Sequence, residues 1–173
     1  MERLLALDQQ LFLLINHLPH LAVSNTVALA ISGVGTAGII WFTIAILLFL
    51  REEKKDHWFF LPFILAGGTS WTIVELFLKP LIARVRPNEI MSAIIVGSGS
   101  DGFSFPSGHA TIAFAMAVVL SHKEPKWKWI FYTLAVLISL SRIYLGVHYP
   151  LDIIAGGVLG WGIGWLSLCI RKS

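Results

Sequence analysis

From Ala22 to Leu50 the chain carries no charged side chain, a run longer than the roughly 20 apolar residues a helix needs to cross a bilayer. In hydrocarbon every backbone N–H and C=O must be satisfied within the segment, so such a run folds as helix rather than as an open sheet. Four more apolar stretches follow: Trp58 to Leu78, interrupted only by Glu75, then Ser107 to Ser121, Trp127 to about Leu145, and Asp152 to Ile170. Of the 173 residues, 56% are hydrophobic and 13% charged, against roughly 25% charged in a soluble domain. That balance excludes a disordered chain and a nucleic-acid-binding domain. The net charge of +3 then reads as loop Lys and Arg rather than as a polyanion-binding surface. The single cysteine, Cys169, excludes an internal disulfide and a cysteine metal cage, and reads as a buried apolar filler.

The expected fold is an all-α integral membrane protein, a bundle of five transmembrane helices in one membrane-embedded domain spanning residues 1–173. Residues 1–20 form an additional element. Leu4, Leu7, Leu11, Leu14, Ile15 and Leu18 recur at helical spacing, with Gln9, Gln10 and Asn16 on another face. This reads as an amphipathic helix lying in the interface, with a sixth crossing as the alternative. Arg51, Lys54 and Lys55, then Lys123, Lys126 and Lys128, then Arg171 and Lys172 share one side of that topology, which makes it cytoplasmic. The segment 79–106, loosened by Gly97, Gly99 and Gly102, becomes a long outward loop, and long loops in compact proteins are commonly functional.

Three clusters fall on the outward side. Lys79 and Arg86-Pro87 follow the second span, Pro106-Ser107-Gly108-His109 opens the third, and Ser141-Arg142, His148 and Asp152 straddle the turn between the fourth and fifth. Lys79, Arg86 and Arg142 suit a multiply charged oxyanion, because guanidinium forks match phosphate oxygens. Ser107 and Gly108 at a helix start offer free N–H groups and the positive end of a dipole. Two histidines supply a nucleophile and an acid near neutral pH. Asp152 lies four residues after His148, so the two are neighbours if the helix begins near His148. The carboxylate can then hold the far imidazole N–H. That collection suits phosphoryl transfer through a phosphohistidine.

Lys79-x6-Arg86-Pro87, Pro106-Ser107-Gly108-His109 and Ser141-Arg142-x5-His148-x3-Asp152 resemble, in order and spacing, the three signature motifs of the type 2 phosphatidic acid phosphatase family, over roughly residues 58–170. The resemblance implies an all-helical membrane fold and hydrolysis of a phosphomonoester or diphosphate without a metal or other cofactor. It implies His148 as nucleophile, Asp152 as its orienting partner and His109 as the acid for the leaving oxygen. Lys79, Arg86, Ser107, Gly108 and Arg142 correspond to the phosphate-binding set. Within the family the chain resembles the compact bacterial branch, above all the lipid A 1-phosphatases. Phosphatases of undecaprenyl diphosphate and of phosphatidylglycerolphosphate share the motifs, and a lipid phosphotransferase would use the same intermediate. The implied partner is a phosphorylated membrane lipid in the bacterial inner membrane, met at its periplasmic face.

Other polar residues carry plainer expectations. Arg84 matches no motif position and reads as a snorkelling anchor, with support of the phosphate site as the alternative. Glu75, the one charge inside a span, reads as an i, i+4 partner positioning Lys79. Gly156, Gly160 and Gly164 read as a helix-packing face. A rival of another class is an anion channel or transporter, since cations at a pore mouth also select anions. It has no need of the His148–Asp152 pair, and the chain shows no inverted repeat.

Overall fold

The computed structural model describes residues 2–51, 57–99 and 101–170, and all regular structure among them is helical. The helices are α1 (Glu2–Asn16), α2 (Ala22–Gly35), α3 (Ile39–Arg51), α4 (Phe60–Trp71), α5 (Lys79–Ile82), α6 (Pro87–Ile90), α7 (Gly108–Lys123), α8 (Lys128–Tyr144) and α9 (Pro150–Cys169). A π-helical segment, Thr72–Leu78, joins α4 to α5. By length and composition, Phe60–Ile90 and Pro150–Cys169 are long and apolar enough to cross a membrane, and α2 with α3 makes a third if that bent pair is one span.

α7 is the central helix, packed against α9, α8 and α4. It is buried almost all round, from Ala110 and Thr111 through Ala115, Met116 and Leu120. Its neighbour α9 presents the expected small-residue face. A Cβ on Gly156 would lie 2.7 Å from the Ser107 carbonyl oxygen, and one on Gly164 would lie 2.8 Å from that of Ala115. Between apolar helices in lipid such close backbone approach, rather than expulsion of water, supplies the attraction. Trp41, Phe59, Phe63, Met116, Phe131 and Ile138 fill the larger core, away from the charged end of α7.

The structure corrects several expectations. Ala22 to Leu50 is not one straight span: α2 and α3 meet at 63° across a 3₁₀ turn, Thr36–Gly38. The extended Thr36, at φ −63° and ψ 132°, ends α2, and Gly38, at φ 75°, a left-handed conformation that glycine adopts without a Cβ clash, leads the chain into α3. In α1 Asn16 does not share a face with the exposed Gln9 and Gln10. It is fully buried with Asp8 and Phe12, while Leu4, Leu7, Leu11 and Leu14 face outward. The i, i+4, i+8 spacing of Asp8, Phe12 and Asn16 makes one stripe, and Asn16 pins it by donating to the carbonyls of Ile94 and Tyr144. Cys169 is exposed at the end of α9, not buried. Of the basic residues used for orientation, Lys54, Lys55, Arg171 and Lys172 lie outside the described residues. Arg51, Lys123 and Lys128 sit at the helix ends opposite the three clusters.

Candidate active site

The three clusters meet where α7 and α9 begin and α8 ends. The turn between α8 and α9 passes through Gly146 at φ 84°, where a Cβ would lie 2.6 Å from the Ile94 carbonyl oxygen, so a side chain there would force the turn open. α9 starts at Pro150, which suits the first helical turn because its missing N–H is not needed there. His148 therefore stands just ahead of the helix, close enough to its start for the expected contact with Asp152. Asp152 reaches back from the first turn, accepting the Tyr149 N–H at 2.9 Å and facing His148 Nδ1 at 3.3 Å with the same oxygen.

His148 is 2% exposed and Asp152 fully buried. On the other side of the imidazole, Arg86 Nη1 approaches Nε2 at 3.4 Å. A guanidinium can only donate, so Nε2 presents its lone pair and the ring proton resides on Nδ1, against the carboxylate. Burial pushes the His148 pKa down from 6.5 to about 4, against the opposing pull of Asp152, so the ring is neutral at physiological pH. Arg86 is itself held by donating to the carbonyls of Gly102 (2.9 Å), Val147 (2.8 Å) and Asp101 (3.2 Å). The left-handed Ala83, at φ 49°, turns the chain off α5 into the loop that carries Arg84 and Arg86.

α7 begins with Ser107 as its N-cap, the hydroxyl accepting the Ala110 N–H at 3.4 Å. The Ser107 N–H donates to the Asp152 carbonyl at 3.0 Å, which docks the start of α7 on the first turn of α9. Lys79 pairs with Glu75 at 2.7 Å, as the i, i+4 spacing predicts. Glu75 sits in the π segment, a widened helix found mostly where function requires it. A Cβ on Gly108 would lie 3.0 Å from the Glu75 carboxylate, so the absence of a side chain brings the Lys79–Glu75 pair to the start of α7. His109, in the first turn of α7, feels the charges of Arg142, His148, Lys79 and Arg86. All ten residues singled out in the sequence thus belong to this end of the bundle or to its support. Among the described residues no three His, Cys, Asp or Glu groups are arranged to hold a metal ion.

The motifs and their convergence agree with sequence comparison: the PAP2 superfamily model matches residues 60–173. The chain belongs to the PAP2 superfamily. An undecaprenyl-diphosphatase of Sulfolobus acidocaldarius is 34% identical over 176 residues, covering 99% of this chain and 82% of that one. A lipid A 4'-phosphatase of Bacteroides thetaiotaomicron is 33% identical over 151 residues, covering 80% of this chain and 67% of that one. The crystal structure of Aquifex aeolicus LpxE matches with a TM-score of 0.76 at 31% identity, over 94% of this chain and 95% of that one.

This PAP2 site also draws on groups outside the motifs. Arg84, expected first as an anchor, is instead an internal cation. Its guanidinium donates to Asp152 Oδ1 at 2.6 Å and to Asp8 Oδ2 at 2.5 Å. Thr36 Oγ1 lies 3.4 Å from His109 Nε2, and Ser32 Oγ accepts from Arg142 Nη1 at 2.5 Å. Asp8, Ser32 and Thr36 escaped the sequence reading because each is a single common polar residue far in sequence from the motifs. The only signal was for Asp8, a charge on the otherwise apolar repeat of α1.

Proposed function

We propose that this PAP2 phosphatase removes phosphate from a membrane lipid through a phosphohistidine at His148. The observation that carries the reading is the doubly held imidazole, with Nδ1–H toward Asp152 and the Nε2 lone pair toward Arg86, the group best placed to hold a phosphate oxygen. In the first step Nε2 attacks phosphorus, and the bond to the lipid oxygen breaks as that oxygen takes a proton from the His109 imidazolium. The His148 ring becomes positive, and Asp152 balances it. Arg86, Arg142 and Lys79, with Ser107 and the Gly108 N–H at the start of α7, hold the three non-bridging oxygens, so catalysis is mainly positioning and electrostatics. In the second step neutral His109 takes a proton from water, the oxygen attacks phosphorus, and the P–N bond breaks to release phosphate and neutral His148.

The membrane arrangement we propose is five crossings with α1 in the interface, the site at the outer face of a bacterial inner membrane, and Arg51, Lys123 and Lys128 on the cytoplasmic side. α7, 16 residues long, spans about 24 Å, less than the ~30 Å core, so its site end sits at headgroup depth. Our reading of the substrate is lipid A 1-phosphate, supported by a lipid A 1-phosphatase of Rhizobium etli that is 36% identical over 96 residues, 53% of this chain and 40% of that one. Undecaprenyl diphosphate is the second reading, supported by the Sulfolobus relative, which matches 99% of this chain. The test is kcat/KM of the detergent-purified protein on lipid A, undecaprenyl diphosphate, phosphatidylglycerolphosphate and phosphatidic acid. Lipid A is expected to lead the panel. Phosphate release from none of the four, with anion flux in liposomes, would overturn the enzyme reading in favour of a channel.

A further inference from the structure

The carboxylate that orients His148 does not stand alone. Asp152 divides its oxygens: Oδ2 serves the Tyr149 N–H and His148, while Oδ1 receives Arg84. Arg84 continues to Asp8 Oδ2, and Asp8 Oδ1 accepts the Leu151 N–H at 2.8 Å, in the first turn of α9. A single buried side chain of α1 thus holds both the helix that carries Asp152 and the cation that contacts it. Both carboxylates are buried and Arg84 between them is half-buried. Asp8 is 2% exposed, the Arg84 guanidinium lies over the Tyr149 ring at 4.0 Å, and Phe12 packs on the same ring at 5.5 Å.

Charge counting gives the arrangement a purpose. Arg84 alone beside Asp152 would neutralise it and leave little charge for the imidazolium that forms at His148. A second carboxylate on the far side of Arg84 restores a net charge of −1 to the group of three. Burial works against the Arg84 charge, and Asp152 with Asp8 outweighs it, so the guanidinium's pKa stands above its ordinary value. Buried ions with one partner removed are strongly unfavourable, so each member holds the others in place.

We infer that Asp8 of α1, a residue outside the 60–173 PAP2 match, is a positioning residue for the phosphoryl-transfer step, acting through Arg84 on Asp152 and hence on His148. This rests on the assignment of His148 as nucleophile. The charged and titratable groups facing His148 are Asp152 from α9, Arg86 from the 83–86 loop, Arg142 from α8 and His109 from α7. Those facing Arg84 are Asp152 and Tyr149 from the α8–α9 side and Asp8 from α1.

The full-length protein in detergent is assayed on p-nitrophenyl phosphate, whose leaving oxygen needs little protonation and so isolates the His148 step. Asp8→Asn keeps the shape and the acceptor for the Leu151 N–H but removes the charge. It should lower kcat about 10-fold, the size of one link in a charge network, with KM within about 2-fold. It should also move the acid limb of kcat/KM to lower pH, because a negative charge favouring imidazolium has gone. Arg84→Gln should move that limb to higher pH. Asn16→Ala, which loosens α1 at its other end, should lower Tm while leaving kcat and the acid limb in place. The inference is overturned if Asp8→Asn keeps the parent kcat and acid limb, or if Asn16→Ala reproduces its kinetic changes. Should Asp8→Asn fail to fold, the limb of Arg84→Gln decides, and a shift downward or no shift overturns the inference. A phosphoenzyme surviving in His148→Ala would overturn the nucleophile assignment and this inference with it, whereas an inactive His148→Ala beside an unaffected Asp8→Asn overturns the inference alone.

Discussion

The start of α7, the end of α8 and the start of α9 hold the site in one way, and the N-terminal helices α1 to α3 hold it in another. In the first region the side chains we propose to meet phosphate come in short motifs, and backbone contact fixes them: Ser107 N–H on the Asp152 carbonyl, Gly156 and Gly164 against α7, Asp152 on the Tyr149 N–H. In the second region α1, α2 and the 3₁₀ turn that follows α2 each supply a single polar atom, Asp8 to Arg84, Ser32 to Arg142, Thr36 toward His109. In the mechanism we propose, the first arrangement sets which atoms react and the second tunes their charge and tautomer.

The comparison breaks first at His148. His148→Ala should lower turnover by about 10⁴-fold or more and leave no acid-labile phosphoenzyme, as removal of an attacking group does elsewhere. Retention of that intermediate, measured by trapping labelled phosphate on the protein, would move the chemistry out of the α8–α9 turn. The same ring carries a pH signature. Its pKa is lowered by burial to about 4 from 6.5, so its stabilising share is fully present above pH 6.5 and is lost as pH falls toward about 4. Calorimetric Tm should therefore drop between about pH 7 and about pH 4.5, with a shallower slope in His148→Ala.

His109→Ala should follow, costing about 10³-fold with a lipid alkoxide as leaving group, within the range for a lost general acid. On p-nitrophenyl phosphate the loss should be much smaller, and a phosphoenzyme should accumulate because the second step lacks its base. Equal losses on both substrates would remove His109 from proton transfer. Arg142→Lys keeps the charge and loses the fork, and kcat should fall about 10²-fold if one transition-state contact goes. An unchanged kcat with a raised KM would make Arg142 a ground-state binder only.

The smallest effect tests the other region. Thr36→Val removes the hydroxyl near His109 Nε2 and should lower kcat on a lipid substrate by a few-fold, about the worth of one neutral hydrogen bond, with Tm little changed. A loss as large as that of His109→Ala would erase the distinction between the two regions, since a supporting atom would then equal a reacting one.

Read by itself, the sequence determined the apolar helical fold, the family and the set of residues we propose to react. Apolar runs admit few backbones in lipid, and Lys79, Arg86, Ser107, His109, Arg142, His148 and Asp152 stand at spacings whose chemistry is local. Even the Glu75–Lys79 pair was legible, because helical periodicity alone makes such residues neighbours. Tertiary structure alone decided the break between α2 and α3, the inward turn of Asp8 and Asn16, and the conversion of Arg84 from surface anchor to half-buried link. The inward stripe of α1 and the Arg84 link depend on partners 68 to 128 residues distant in the chain. A lone aspartate or threonine looks the same in sequence whether it meets water, lipid headgroups or another helix. Only packing settles which of these it faces, because the cost of burying a polar group is offset solely when a specific partner arrives beside it.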